Sequence, residues 1–516
     1  MTIKTIIKAS EYHDSVTLML VAKELASFPG VQDAAVVMGT EANKTIIEQS
    51  GLLTDEGRKA TPNDLIIVVK AEGSTDAAFE ATDKLLQKKT GAGSGMDFKP
   101  KTIRSAIRSL ARANVAIISI AGRYAADEAW EALKQGLHVL LFSDNVSLED
   151  EIALKKYARD HGLLLMGPGA GTAILNGIAL AFANVIPPGP VGIVAAAGTG
   201  LQETSTLLAK NGIGITQGIG TGGRDLKKEV GGIMYLEGLK ALQADPETKV
   251  ILLVSKPPAQ EMVEKVMEQV AKSSKPTVVC LLGGDVAKVK PSMNAYPVAT
   301  LQEAALLAAK LAGAKLEDPK QFIAREKELL SQKAGELKQK LHSNQKYLRA
   351  LFSGGTLCAE SLVIWRDEFE HSVFSNAPLT EEFKMKDSLH SEGNCAIDLG
   401  EEEFTVGRPH PMIDNDLRVR RILQEARDPE VAVIMLDVVI GYGAHPDPAL
   451  ELGQAISQAR KLAEESGREL YFVTSVTGTE GDPQGLSRTV EKLKAAGAIV
   501  LDSNAAAARL TGMLVS

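Results

Sequence analysis

Two glycine-rich loops in the middle of the chain contain the residue types that bind phosphate or carboxylate groups. Gly198, Thr199 and Gly200 lie in GIVAAAGTGLQE, where an apolar strand is expected to pass into a helix. Glycine allows close backbone approach, the N–H groups of a helix start attract an anion, and the threonine adds a hydroxyl donor. The motif is neither a P-loop nor a dinucleotide fingerprint, so an ordinary tight turn is the alternative.

The second loop, GIGTGGRDL, follows the next predicted strand and supplies a further set of candidate ligands: Gly220, Gly222, Gly223, Arg224 and Asp225. The Arg224 guanidinium can hold a phosphate or carboxylate with two parallel donors. Asp225 is either a site carboxylate or a helix cap. Ligands of open parallel sheets bind beyond the carboxyl ends of the strands, where both loops fall. We therefore expect this sheet edge to bind a small anionic substrate.

Other strand-end loops repeat this composition. Their candidate substrate or phosphate ligands are Gly354, Gly355 and Thr356 in SGGTL, Gly441 and Gly443 in DVVIGYG, Thr477, Gly478 and Thr479 in SVTGTEGDP, and Gly167 and Pro168 in MGPGAGTA. The last of these loops either closes over a ligand or is a turn between domains.

The loop GRPHPMID is a candidate for proton transfer. Arg408 and His410 lie among prolines that stiffen the loop, and Asp414 follows. Histidine titrates near neutral pH and can act as a general acid or base, although a structural histidine is the alternative. We predict Arg224, Arg408 and His410 as the catalytic residues. Asp437, at the end of an apolar strand, is either a site carboxylate or a satisfied turn residue.

The cysteines and histidines predict neither disulfides nor a metal site. Cys280, Cys358 and Cys395 are odd in number and far apart, which fits neither a disulfide framework nor a CxxC site. Cys358 and Cys395 are interpreted as small core residues rather than nucleophiles. The eight histidines are scattered without metal-ligand spacing. A reducing cytoplasm is the expected location.

Composition excludes several function classes. The 516 residues are 45% hydrophobic and only 4% aromatic, with 46 glycines, which favours layered α/β domains. A net charge of −8 without a basic cluster argues against nucleic-acid binding. We find no apolar run of membrane-spanning length and no signal peptide, so no membrane association is expected.

From Val115 onward, strands that alternate with helices predict parallel sheets joined by right-handed crossovers. The expected domains are an N-terminal α/β unit at 1–95, a Rossmann-like domain at 96–186, flavodoxin-like domains at 187–316 and 347–516, and a charged helical linker at 317–346. A glycine-rich linker at 90–100 separates the first two. The two flavodoxin-like domains look like two versions of one architecture.

With these motifs the chain resembles the FdrA family over nearly its whole length, in SDNVSLEDE, GIGTGGRDL, SKPPA, GRPHPMID, DVVIGYG and VTGTEGDP. FdrA proteins belong with the NDP-forming acyl-CoA synthetases, the succinate–CoA ligase group. The resemblance implies a CoA-binding-type domain and a first ligase domain, as in the ligase α subunit, at about 115–310. It implies the ligase domain that ends the β subunit at about 347–512. CoA is the one cofactor to consider.

The departures from the ligase pattern bear on mechanism. Succinate–CoA ligases carry phosphate on a histidine in the region that corresponds to 275–303, where this chain has none. The glutamate that steadies this phosphohistidine should lie at the strand end that reads VSKPP here. No ATP-grasp module is evident. The resemblance therefore favours a reaction that uses inorganic phosphate directly.

FdrA-type proteins occur as a component of oxamate carbamoyltransferase, which converts oxalurate and phosphate to oxamate and carbamoyl phosphate in anaerobic allantoin breakdown. We expect this chain to be such a subunit, with phosphate as a substrate, other protein subunits as partners, and self-association. An acyl-CoA synthetase that needs a partner chain is one alternative. A non-catalytic scaffold is another, since Gly169 and Ala170 replace an Asp-Cys pair that is usual in the family.

Overall fold

The computed structural model describes residues 2–11, 13, 15–40, 43–44, 47–48, 50–73, 75–90, 100–284, 294–405 and 408–516. Most of the predicted linker at 90–100 lies outside these residues. The chain divides into two compact units, Met1–Ser109 with Glu402–His410, and Leu110–Glu401 with Pro411–Ser516. Among the described residues, no helix is both long and apolar enough to cross a membrane.

The first unit is built on an antiparallel sheet with the strand order β1-β3-β2. Its middle strand is apolar and buried because its neighbours cover both edges and other segments cover both faces. The elements are β1 (Thr2–Lys8), α1 (Ser15–Ala26), β2 (Val31–Met38), α2 (Asp55–Lys59), β3 (Leu65–Ala71), α3 (Asp76–Thr90) and α4 (Ile103–Ser109). Strands and helices alternate in this order, as expected for an α/β unit.

The second unit begins with a small parallel sheet of order β4-β5-β6. Ser147 starts its second helix by accepting a hydrogen bond from the Asp150 N–H at 3.0 Å. The elements are β4 (Val115–Ile118), α5 (Gly122–Lys134), β5 (His138–Leu141), α6 (Leu148–Asp160) and β6 (Leu165–Met166). The predicted parallel alternation of strands and helices is confirmed.

A seven-stranded sheet of order β13-β12-β11-β9-β10-β7-β8 forms the central module. Its strands are parallel except for the β7–β8 hairpin at one edge. The elements are β7 (Thr172–Leu175), β8 (Ile178–Ala181), β9 (Pro188–Ala196), α7 (Gly198–Lys210), β10 (Ile215–Gly220), α8 (Ile233–Ala244), β11 (Val250–Ser255), α9 (Gln260–Val270), β12 (Thr277–Leu281), β13 (Ala295–Val298) and α10 (Leu301–Leu311).

A six-stranded parallel sheet of order β15-β16-β14-β17-β18-β19 forms the C-terminal module. The charged helix α11 (Pro319–Lys338) precedes it and buries Leu330 and Ala334. The elements are β14 (Tyr347–Phe352), α12 (Gly355–Phe369), β15 (Phe374–Ser375), β16 (Cys395–Asp398), α13 (Glu402–Thr405), α14 (Asp416–Glu425), β17 (Val431–Val439), α15 (Pro448–Glu465), β18 (Tyr471–Thr477), α16 (Leu486–Ala495), β19 (Ile499–Leu501) and α17 (Asn504–Val515).

The central and C-terminal modules share one hydrophobic core and exchange helix caps. Glu203 of α7 accepts the Asn504 N–H, at the start of α17, at 3.0 Å. Glu360 of α12 accepts the Leu301 N–H, at the start of α10, at 2.7 Å. Each carboxylate thus satisfies an N–H group of the other module. We call this pair of buried carboxylates, Glu203 and Glu360, the cap pair.

Candidate functional site

The start of α7 is buried and offers unsatisfied backbone donors. Ala197, which precedes the helix, has no side chain able to cap it. The first turn contains Gly198, Thr199 and Gly200, as the sequence predicted for a helix start. The first N–H groups of a helix have no partner within the helix, and the helix dipole makes this end positive. The local chemistry suits an anion.

Three buried hydroxyls lie at strand ends along the sheet edge from which this helix starts. Thr172 Oγ1, Thr221 Oγ1 and Ser255 Oγ have no hydrogen-bond partner among the described residues. They belong to the edge reached by the carboxyl ends of the neighbouring strands, since Ser255 pairs with Ala196 and the Thr221 N–H donates to Ala195 at 2.8 Å. Buried polar atoms in folded proteins normally have partners, so this cluster indicates a ligand or ordered water.

Thr172 is directed at the helix start itself. A Cβ atom on Gly198 would lie 3.5 Å from Thr172 Oγ1. Sequence reasoning missed Ser255, and it passed over Thr172 and Thr221 inside loops that it did select. The available signal was a hydroxyl residue beside each strand end.

The start of α12 approaches the start of α7 at close range. The Thr356 N–H donates to Thr199 Oγ1 at 3.3 Å. A Cβ atom on Gly354 would lie 2.8 Å from Thr199 Cγ2, and one on Gly200 would lie 2.9 Å from Thr356 Cγ2. A glycine at each position leaves room for a threonine side chain of the other module. The structure therefore brings together the predicted ligands of the GTG and SGGT loops.

Asp437 is a satisfied structural carboxylate. It is fully buried and accepts the N–H groups of Ser353 and Gly354, each at 2.8 Å. It also pairs with the buried Arg418 guanidinium at 3.0 Å. Burial lowers the pKa of Arg418, although the charge of Asp437 opposes this shift. These contacts hold the loop that precedes α12.

Lys256 and two carboxylates lie beside Gly355. The Lys256 Nζ atom is 3.6 Å from Asp398 Oδ2 and 3.4 Å from Glu401 Oε1. Burial raises the pKa of Asp398, while the Lys256 ammonium opposes this rise. Sequence reasoning missed this group, because Lys256 follows a strand of one sheet and Asp398 ends a strand of another. Lys256 could have been selected by its place directly after an apolar strand.

The GIGTGG loop fits closely against neighbouring backbone. A Cβ atom on Gly220 would lie 2.1 Å from the Thr172 carbonyl oxygen, and one on Gly222 would lie 2.6 Å from that of Pro168. Gly223 has open space at the same position. Gly167 also packs tightly, since its Cβ would lie 2.2 Å from the Leu141 carbonyl oxygen. Most of these glycines are therefore needed for packing.

The charged end of that loop belongs to a buried ion cluster. Lys155 Nζ donates at 2.8 Å to both Glu151 and Asp225. Asp225 also accepts the Tyr235 N–H at 2.6 Å, which caps the start of α8. Arg224 pairs with Glu151 at 2.8 Å, so its guanidinium is engaged by the protein rather than left open as the predicted clamp.

The predicted ligands of the C-terminal module mostly serve internal contacts. The Thr477 hydroxyl donates to Glu203, and the Thr479 hydroxyl donates to the Val185 carbonyl at 2.9 Å. The remaining glycines of this set make room for neighbouring atoms: a Cβ would meet Ala183 at Gly441, Phe182 at Gly443 and Ile440 at Gly478. These residues fix the segment that precedes β9 onto the C-terminal module.

Arg408 and His410 belong to the first compact unit, whereas Arg224 belongs to the second. Gly407 lies outside the described residues.

All three cysteines are buried, and burial raises the pKa of each thiol, which fits core residues rather than nucleophiles. A cavity of about 320 Å³ is lined by Asn184 and Tyr442 among others.

Comparisons with known proteins place CoA-related families on the two modules. The family described as CoA binding domain matches residues 188–283, which is the stretch predicted as the first ligase domain. The family described as CoA-ligase matches residues 351–514. The family described as AllF, heavy metal-associated domain matches residues 1–100.

One relative spans the chain. Uncharacterized protein YahF of Escherichia coli (strain K12) is 41% identical over 506 residues, 98% of this chain and 97% of that protein. Succinate–CoA ligase [ADP-forming] subunit alpha 2 of Archaeoglobus fulgidus is 28% identical over 186 residues, 35% of this chain and 63% of that subunit. The dinucleotide forming acetyl-coenzyme A synthetase 1 of Ca. Korarchaeum cryptofilum covers 78% of this chain and 82% of its own at 15% identity, with a TM-score of 0.32.

The family matched at residues 1–100 is described as heavy metal-associated, but this part of the chain lacks suitable metal ligands. Residues 1–100 contain no cysteine and one histidine, His13, which contacts Glu11 at 3.0 Å. Across the described part of the chain, no three His, Cys, Asp or Glu side chains are grouped as metal ligands. Soft metals need thiolate or imidazole ligands, so this donor set does not fit a heavy metal.

Proposed function

Because the chain belongs to the FdrA family of acyl-CoA synthetase-like proteins, we propose that it is a subunit of an enzyme that transfers a carbamoyl or acyl group to inorganic phosphate. The reaction type is that of oxamate carbamoyltransferase, oxalurate plus phosphate giving oxamate plus carbamoyl phosphate. One observation carries the proposal. The uncapped start of α7 faces the buried hydroxyl of Thr172, and the same sheet edge carries the buried hydroxyls of Thr221 and Ser255, all three without a hydrogen-bond partner among the described residues.

This arrangement has the donors that the reaction needs. A phosphate oxygen attacks the carbamoyl carbon of oxalurate, the C–N bond to oxamate breaks, and the released amide nitrogen takes up a proton. Backbone N–H groups and hydroxyls that are already oriented lose no energy in reorganising as negative charge develops. No phosphohistidine is required, in keeping with the absence of histidine from residues 275–303.

Ligand binding to the full chain tests the proposal. We expect phosphate and carbamoyl phosphate to raise the unfolding temperature, since a ligand at a hundred times its Kd adds ~2.7 kcal/mol to the folded state. Thr221→Val removes a site hydroxyl and should abolish this stabilisation. Thr511→Val is the matched control, because the Thr511 hydroxyl is bonded within α17 at 2.7 Å. Equal stabilisation of wild type and Thr221→Val by phosphate would count against the site.

The roles that the sequence predicts for His410, in proton transfer, and for Arg408, as a substrate contact, stay predictions. Once the partner chains are supplied, His410→Ala should abolish turnover without unfolding the protein. Arg224→Ala is a poorer test, because it leaves the buried Glu151 with one fewer partner. Full activity in His410→Ala would remove that residue from the mechanism.

An acyl-CoA synthetase that works with a partner chain is the second candidate. The matches to CoA-binding and CoA-ligase families at 188–283 and 351–514 favour it. It predicts stabilisation by CoA, with ATP bound by the partner, and no stabilisation by carbamoyl phosphate. Several relatives are named as subunits, which supports protein partners in both cases.

A further inference from the structure

Lys256 lies where the starts of α7 and α12 meet, and the reaction proposed above gives it no role. It directly follows β11, next to the unpartnered hydroxyl of Ser255. A Cβ atom on Gly355 would lie 2.5 Å from Lys256 Nζ, so the ammonium contacts the first residue of α12. A Cβ on Gly200, in the first turn of α7, would lie 2.8 Å from Val254 of the same strand end.

The carboxylates around Lys256 hold it loosely. Its Nζ atom is 3.6 Å from Asp398 and 3.4 Å from Glu401, and its side chain is 36% exposed. Lys155 shows the contrast, since it is 0% exposed, lies 2.8 Å from each of two carboxylates and donates to the Thr221 carbonyl at 3.1 Å. Every donor of Lys155 is therefore used, whereas Lys256 retains donors and space for a ligand.

The charge state of Lys256 suits an anion. Burial opposes its charge, but the carboxylates of Asp398 and Glu401 outweigh this and raise the pKa of Lys256. The ammonium form therefore persists at neutral pH. A cation beside two positive helix starts is favourable when an anion lies between them.

The geometry points to Lys256 as the residue that binds the phosphoryl group of the substrate or product, together with the start of α7. This assignment rests on the proposed function, because it names a further ligand of the same site. It makes Lys256 a direct contact of phosphate and carbamoyl phosphate rather than a structural ion-pair partner.

The test is phosphate affinity of the full chain, measured by ³¹P NMR titration, for wild type, Lys256→Met and Lys256→Arg. Loss of a charge-assisted hydrogen bond should weaken phosphate binding about ten- to hundred-fold in Lys256→Met, with partial recovery in Lys256→Arg. Lys240→Met is the control, because Lys240 forms an exposed pair with Glu237. The phosphate affinity of Lys240→Met should equal that of wild type.

Gly355→Ala provides an independent variant that keeps the lysine. The added methyl would lie 2.5 Å from Lys256 Nζ and 2.3 Å from Asp398 Oδ2, so the ammonium must move. We expect weakened phosphate binding here too. If wild type binds phosphate and both Lys256→Met and Gly355→Ala bind it equally well, the role of Lys256 is wrong while the proposed function stands. If wild type binds neither phosphate nor carbamoyl phosphate, the proposed function itself fails.

Discussion

Replacing Glu360 by Gln should remove a large pH dependence from the stability of this protein. Glu360 is one member of the cap pair and is fully buried. Burial raises its pKa from the ordinary 4.5 to about 7, and the nearby charge of Glu203 adds to the rise. Hydrogen bonds from Asn504 and Leu301 and the charge of Arg509 oppose it without cancelling it.

The sign and size of the effect follow from proton uptake. Between pH 4.5 and about 7 the unfolded chain carries an ionised Glu360 while the folded chain carries a protonated one. Folding then takes up a proton, so the free energy of unfolding falls as the pH rises through this window. The shift from 4.5 to about 7 corresponds to ~3 kcal/mol. Glutamine mimics the protonated form at every pH, so Glu360→Gln should be about as stable as wild type at pH 5 and more stable by up to ~3 kcal/mol at pH 8.

Urea unfolding of the full chain at pH 5 and pH 8 measures this difference. Glu336→Gln, on an exposed position of α11, is the control and should follow wild type at both values. The reasoning is refuted if Glu360→Gln destabilises the protein equally at pH 5 and pH 8. That result would mean that Glu360 is ionised throughout and that its two hydrogen bonds, at 2.7 and 2.8 Å, hold a charge.

Three further predictions concern the scaffold of the site. Lys155→Met leaves Asp225 buried without its cation and should lower the free energy of unfolding by ~3–5 kcal/mol in urea titrations. Asp437→Ala leaves two N–H groups unsatisfied and should lower the unfolding temperature, with faster amide exchange in the loop before α12. Gly222→Ala forces a methyl to 2.6 Å from a carbonyl oxygen at a φ of +90° and should cost about 1–3 kcal/mol. Gly223→Ala faces open space and should cost less than half as much in the same assay.

The parallel sheets were predictable because their strands are buried on both faces and appear as unbroken apolar runs. β11 is such a run, since Val250–Ser255 reads VILLVS and all six residues are buried. The β7–β8 hairpin was missed, because its strands are short and follow a glycine-rich loop. Its turn, Asn176–Gly177, carries the hairpin signal and has positive φ at both residues.

Only those parts of the candidate site that lie within one short sequence segment were predictable. A helix start after a strand can be located from glycine and threonine alone, as at Thr199. Ion pairs between residues that are distant in the sequence cannot be located from such short patterns. Arg224 has the composition of a substrate clamp, but Glu151 from a distant helix engages it. In the sequence, Lys256 is an ordinary loop residue. Only the structure shows that the ends of β11 and β16 bring it close to Asp398.

The fusion of the two modules in one chain determines what a partner can contribute. The α7 start requires glycine at 200 because Thr356 approaches it, and the α12 loop requires glycine at 354 because Thr199 approaches it. Neither module alone presents this surface, yet one polypeptide contains both in fixed one-to-one ratio and at an effective concentration that dilution does not change. Both helix starts of the proposed phosphate site therefore belong to this one chain. If turnover needs a partner subunit, we expect that subunit to supply a different function, such as contacts to the carbamoyl or acyl group.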